Sequence, residues 1–246
     1  MKLLYLGAIA TGIVIILAVA MISPAFTRAQ YYNSQLKILL AFSVVDESNV
    51  PDWCSDLSSV LKKHGVSATV FVTGKVADQH PECVTTFSNN IDIGSQTYSY
   101  VDLPSIPNYT VQLEEVKKGK ESVDKAGKLD SKVFRAPYRS TDQNIYSLLS
   151  RSGILADFSY ERQYNKYYDG KFIWFNVTAY EGRQYQAEFF HKIPVTSTPV
   201  LINFDNSTSI ENIDRFIANL KSSEVRFLNA SEITGIDLTV REGEQI

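Results

Sequence analysis

Apolar residues along this chain fall into two alternating rhythms. Short, largely apolar runs occur at Lys37–Phe42 (KILLAF), Ala68–Val72 (ATVFV) and Val200–Asp205 (VLINFD). A strand covered on both faces needs apolar side chains at both parities, so such runs predict buried parallel strands. Between them the spacing changes. Pro51–His64 places Trp53, Leu57, Val60 and Leu61 at helical intervals, with Gly65 as the stop. Pro81 can open a short helix over His80–Phe87. Thr110–Ala126 predicts a longer one, with Glu114–Lys118 and Glu121–Lys125 at supportive i,i+4 spacing and Gly127 ending it. Further strands are expected at Ile91–Ser95, Lys132–Arg135, Ile154–Phe158, Phe172–Val177 and Val225–Leu228, and further helices at Gln143–Ser150 and Ile210–Leu220. Strands alternating with helices predict an α/β fold with a parallel sheet. Seven or eight strands in about 200 residues favour a barrel, whose chemistry would lie in loops at the C-terminal ends of the strands.

The N-terminus breaks this pattern. Leu3–Ile22 is 20 residues without a charge, preceded by Lys2. A run of about 20 apolar residues can cross a bilayer as a helix, whereas the apolar part of a secretory signal is usually about 7–15 residues. An uncleaved single-pass membrane anchor is the expectation, with the domain extracytoplasmic. Secretion after cleavage near Thr27-Arg28-Ala29 is the alternative. The organisation expected is therefore an anchor or signal with linker at 1–30, one domain at 31–236, and a tail at 237–246.

Composition adds limits. Hydrophobic residues make up 44% and charged residues 21%, and the formal net charge is −3, which gives no basic face for nucleic acid. Export is consistent with four N-x-Ser/Thr sequons, at Asn108, Asn176, Asn206 and Asn229. It is also consistent with an even cysteine count, Cys54 and Cys83, since disulfides persist outside the reducing cytosol. Cys54 falls near the start of the helix after the first strand and Cys83 early in the segment after the second. Both then lie toward one end of a parallel barrel, and a Cys54–Cys83 bridge is expected, with two buried free thiols as the alternative.

Several segments in register resemble the polysaccharide deacetylase (chitooligosaccharide deacetylase homology) family. They are Lys62–Val84 (KKHGVSATVFVTGKVADQHPECV), Ile93–Tyr100 (IGSQTYSY), Phe134–Tyr138 (FRAPY) and Val200–Asp205. The resemblance extends over about residues 36–234 and implies a deformed (β/α) barrel of about seven parallel strands. It also implies hydrolysis of an acetamide on a sugar. A metal would polarise the carbonyl and activate water, with one carboxylate as base and another group as acid.

At the positions that would carry this chemistry the sequence departs from the family. Ser43 and Val44 stand where the base and the metal-binding aspartate are expected. Gln96 and Tyr100 replace the two ligand histidines, and Phe204 replaces the late histidine acid. Arg135, Pro137, Tyr138 and Asp205 remain. Valine offers no lone pair, and glutamine and a neutral phenol are poor zinc ligands. No cofactor is therefore expected, although zinc or another divalent metal would be needed if replacement ligands restored an active N-deacetylase. The family's arginine pairs with the base carboxylate. With Ser43 there instead, Arg135 is expected to find a new carboxylate, Asp205 first and Asp46 or Asp157 next.

Few other residues offer chemistry. His64 lies beside Lys62 and Lys63 and reads as solvent-facing, His80 as a helix-start residue before Pro81, and His191 as a helix-end residue. Residues 160–185 are dense in aromatics (Tyr160, Tyr164, Tyr167, Tyr168, Phe172, Trp174, Phe175, Tyr180, Tyr185) and read as packing around one strand, with a sugar-stacking surface as the alternative. Gln96, Tyr98, Tyr100, Tyr138 and Trp53 are the candidate substrate-binding residues. The function expected is a catalytically degenerate surface domain that binds a polysaccharide, glycoconjugate or protein partner through the former cleft. The alternatives are the active hydrolase and a purely structural surface protein.

Overall fold

The structure, a computed structural model, describes residues 35–45, 49–142, 144–159, 167–168, 173–174, 178–181 and 199–243. The expected membrane segment Leu3–Ile22 and the aromatic side chains of 160–185 lie outside the described residues, as do Asp46, Asn176 and His191. Among the described residues no helix is long and apolar enough to cross a membrane.

Strand β1 (Leu36–Val44) is followed by helix α1 (Val50–His64), β2 (Ala68–Val72), α2 (Gly74–Gln79), α3 (Glu82–Thr85) and β3 (Ile91–Ser95). Then come α4 (Tyr109–Gly127), β4 (Leu129–Ser131), β5 (Val133–Phe134), α5 (Ile145–Arg151), β6 (Ala156–Asp157), β7 (Tyr167–Tyr168), β8 (Ile173–Trp174) and β9 (Thr178–Glu181). The chain continues through β10 (Val200–Asp205), α6 (Ile210–Lys221), β11 (Val225–Phe227), α7 (Ala230–Thr234) and β12 (Thr239–Arg241). The main sheet runs β7–β8–β6–β5–β3–β2–β1–β10–β9, with β11 also paired to β1. All its pairs are parallel except β7 with β8.

One side-chain contact shows that this sheet curls. Arg135, just after β5, reaches Asn203 of β10, and these strands lie four steps apart in the sheet order. Four steps across a flat sheet would span about 19 Å at about 4.8 Å each, beyond the reach of an arginine. The two cores follow from that curl. Ile38, Leu40, Phe42 and Val44 of β1 pack outward against Trp53, Leu57 and Leu61 of α1 and Ile213, Phe216 and Ile217 of α6. The other parity, Leu39 and Ala41, meets Phe71, Val133 and Leu201 in the interior, where Ala230 and Leu238 also pack.

Several local features differ from the sequence expectations. The helix expected over His80–Phe87 is only Glu82–Thr85, and a separate α2 precedes it, capped by the Thr73 hydroxyl accepting from Val76 N at 3.4 Å. The segment expected as a tail carries β12, which pairs antiparallel with β4 and buries Leu238 and Thr239. His64 is not solvent-facing: it meets the Asp214 carboxylate at 2.6 Å with 11% of its side chain exposed. Cys54 and Cys83 form a disulfide that ties α1 to α3, with Cα atoms 5.2 Å apart.

Glycines allow the loop after β3 to lie tightly against the helices. A Cβ at Gly119 of α4 would overlap the carbonyl of Gln96, and one at Gly74 of α2 would sit 2.6 Å from the Tyr98 ring. Helix α4 donates fixed points to the same loop. Tyr98 N bonds Glu115 O at 2.9 Å, and the Glu115 carboxylate accepts from Ser99 N and Oγ at 3.0 and 2.9 Å.

Candidate functional site

The C-terminal ends of β1, β5 and β10 converge on a small polar cluster. In the β1–β10 register Ala41 faces Asn203 and Ser43 faces Asp205. The inward parity therefore brings Ser43, Asn203 and Asp205 to one side of the sheet. Arg135 donates Nη1 to Asn203 Oδ1 and to Ser43 Oγ, the latter at 3.3 Å. Ser43 Oγ in turn donates to Asn203 Oδ1 at 3.3 Å. Ser43, Arg135 and Asn203 are all buried. The polarised amide oxygen of Asn203 is thus one acceptor for the guanidinium. Asp205 is half-buried, and its Oδ1 accepts from Ser207 N at 3.1 Å and from Ser207 Oγ. Asp157 Oδ1 accepts from Ser159 N at 3.0 Å and from Ser159 Oγ, and that hydroxyl accepts from Ala136 N at 2.7 Å.

Asn203 was missed in the sequence. The signal was available: within VLINFD it is a polar residue at the parity that faces inward, between Leu201 and Asp205. Counting parity, rather than treating the run as uniformly apolar, would have found it.

Five of the expected site residues point elsewhere. Val44 is fully buried in the layer between sheet and helices. Phe204, at the same outward parity of β10, stacks on Phe42 with ring centroids 5.7 Å apart and meets Phe216 edge-on. Trp53 lies in the first turn of α1, as its helical spacing predicts, and packs inward. It is 4% exposed, with its indole N–H given to Thr208 O at 2.9 Å. Gln96 is 1% exposed, and its amide nitrogen donates to Phe71 O at 3.0 Å, so it secures the wall of the barrel. Tyr98 leaves the mouth as well. Its ring lies under the Lys118 ammonium of α4, 3.5 Å from Nζ to centroid, a cation–π contact on the helical side.

Tyr100 and Tyr138 do meet at the mouth. Their ring centroids are 5.0 Å apart at an interplanar angle of 56°. Both residues hold left-handed backbone, φ 56° and 55°, as does Arg139 at 57°. A bulky residue in that region is strained, and such strain concentrates at functional sites. Tyr138 is 64% exposed. Burial pushes the Tyr100 phenol above its ordinary range, and the charges of Arg135 and Asp205 both act on it. Arg135, Asp205, Tyr100 and Tyr138 therefore share one mouth.

A metal of the kind the fold implies needs about three nitrogen or oxygen donors in reach. Val44 and Phe204 have none, the Gln96 amide is turned to the backbone, and the Tyr100 phenol holds its proton. Among the described residues no three histidine, cysteine, aspartate or glutamate side chains gather. The donors at these positions do not suit a divalent metal.

The curled parallel sheet, with helices packed on its outer face, defines a deformed (β/α) barrel. The family model for polysaccharide deacetylase matches residues 34–156, half of the 246-residue chain, and the chain belongs to that family. Among solved structures, the Bc1960 peptidoglycan N-acetylglucosamine deacetylase superposes with a TM-score of 0.61 at 18% identity, over 84% of this chain and 91% of that one. The peptidoglycan deacetylase PdaC from Bacillus subtilis gives 0.60 at 15% identity, over 82% and 92%. BA3943, a family 4 carbohydrate esterase pseudoenzyme from Bacillus anthracis, gives 0.60 at 15% identity, over 82% and 66%. At these identities the likeness speaks for the fold. No curated protein matches.

Proposed function

We propose that the chain is a non-catalytic polysaccharide-deacetylase-like domain, held outside the cytoplasm by Leu3–Ile22, that binds a polysaccharide or glycoconjugate through the mouth of its barrel. One observation carries this reading. The residue at the base position, Ser43, offers a hydroxyl in place of a carboxylate and is held by Arg135 and Asn203, while Val44 and Phe204 face the apolar layer. The same mouth keeps an exposed aromatic shelf, Tyr138 against Tyr100, and a tyrosine ring can stack on the apolar face of a sugar while its hydroxyl bonds the rim. The Bacillus anthracis pseudoenzyme offers a precedent for loss of catalysis on this fold. The Cys54–Cys83 bridge supports an extracytoplasmic address.

The test is to incubate the purified protein with excess zinc, remove free metal, and measure bound metal and acetate release from N-acetylglucosamine oligomers, beside a glycan array. Substoichiometric metal, no acetate, and glycan retention that Tyr138→Ala abolishes are expected. One equivalent of zinc with acetate release would overturn the proposal.

A further inference from the structure

The sequence holds four N-x-Ser/Thr sequons, and the fold treats the three described ones very differently. Asn206 is 1% exposed. Its Oδ1 accepts from Val45 N and its Nδ2 donates to Val45 O, both at 3.1 Å. That amide joins the loop after β10 to the end of β1 on both sides. Asn229 is 6% exposed and caps α7. Its Oδ1 accepts from Glu232 N at 2.8 Å and its Nδ2 donates to Asn90 O at 3.2 Å. In both, the nitrogen that would carry a sugar is already committed inside the fold.

Asn108 is the opposite case. It is exposed, as is Thr110, the third residue of its sequon. Its Oδ1 caps α4 by accepting from Thr110 N at 2.9 Å, while its Nδ2 makes no hydrogen bond among the described residues. The cap uses the oxygen and leaves the nitrogen for chemistry. We infer that Asn108 is an N-glycan acceptor, and that Asn206 and Asn229 are sequons the folded protein cannot carry modified. The inference rests on the extracytoplasmic placement proposed above. The donor would be an oligosaccharide linked through phosphate or diphosphate to a lipid. The sugar C1–O bond to phosphate breaks, the lipid phosphate leaves with the electron pair, Nδ2 bonds to C1, and one amide proton is released. Asn108 follows the loop after β3, at the end of the barrel that holds Tyr100 and Tyr138. A glycan there stands at the side of the mouth, where it shields the exposed start of α4.

The experiment is expression of the full chain in a host with N-glycosylation, followed by protease accessibility on intact cells and site mapping after enzymatic glycan release. A glycan on Asn108 and none on Asn206 or Asn229 is expected. Thr110→Ala should abolish the modification while leaving the Asn108 cap in place, and Asn108→Asp should abolish it while retaining a capping oxygen. An accessible, disulfide-bonded protein with unmodified Asn108, or with a glycan on Asn206 or Asn229, overturns the inference. A chain that cells shield from protease instead sinks the extracytoplasmic reading, and the inference falls with it.

Discussion

Arg135 gives Nη1 to the amide oxygen of Asn203 across the interior of the barrel, joining the end of β5 to β10. Ser43 Oγ completes the triangle. A guanidinium keeps its charge at any reachable pH, so its acceptors matter to the fold. Replacing Asn203 by Leu removes one acceptor of comparable volume and strands a buried charge-assisted bond. We expect a loss of about 1–3 kcal/mol, read as a lower denaturant midpoint with unchanged slope. A midpoint equal to that of the parent protein would remove Asn203 from the list of stabilising residues.

Tyr138 should separate binding from stability. It is exposed and left-handed, so a glycine there loses the ring while relieving backbone strain. The relief is of order 1 kcal/mol, and the extra freedom of the unfolded glycine costs about 0.5–1 kcal/mol. Tyr138→Gly is expected to melt within a few degrees of the parent and to lose glycan retention. If retention survives, the aromatic shelf is not the binding element.

The disulfide should be the largest single covalent contribution. It closes a 29-residue separation between α1 and α3. For a loop of that length the chain-entropy argument gives about 3–4 kcal/mol. The Cys54→Ala/Cys83→Ala double variant should lose stability of that order in a chemical denaturation series, and adding reductant should not destabilise it further. A reductant effect on the double variant would mean that the loss comes from elsewhere.

Asp92 should make stability depend on pH in an unusual direction. It is buried beneath α7, where its carboxylate accepts from Ser231 N at 2.6 Å and Ser231 Oγ at 3.0 Å. Burial outweighs these bonds and raises its pKa above the ordinary 3.8. A carboxylate with a raised folded pKa binds its proton more tightly when folded. Its ionised form therefore costs stability, and that cost disappears as pH falls from the raised value toward 3.8. Relative to Asp92→Asn, the parent should gain stability through that window. A stability difference that stays flat between pH 7 and pH 4 would contradict this.

The order of strands and helices was legible because buried strands and amphipathic helices leave opposite periodicities in the chain. Beginnings and ends were less so. Thr239–Arg241 carries only a short apolar signal, and its role as a strand depends on β4, more than a hundred residues earlier, which local pattern cannot see. The site divided along the same line. Tyr100 and Tyr138 were singled out by the resemblance, and the structure brings their rings together. Val44 and Phe204 were placed at the mouth by resemblance and Trp53 by its position after the first strand, but side-chain direction is set by parity and by the turn of the helix, and these point into the helical layer. Tyr98 was drawn away by Lys118, a long-range pair that neither residue announces.

The loop that presents Tyr100 is held from several directions. Glycines 74 and 119 let two helices close on it, Glu115 grips Ser99 twice, and Val101 N bonds Thr97 Oγ1 at 3.1 Å. A shelf so constrained has little rotational freedom left to surrender when a ligand arrives. Ordering a side chain at an interface ordinarily costs about 0.5–1.5 kcal/mol, and here much of that has been met during folding. Affinity for a flexible saccharide would then be limited by the freedom of the sugar, and rigid or branched chains should be held longer than linear ones of the same composition.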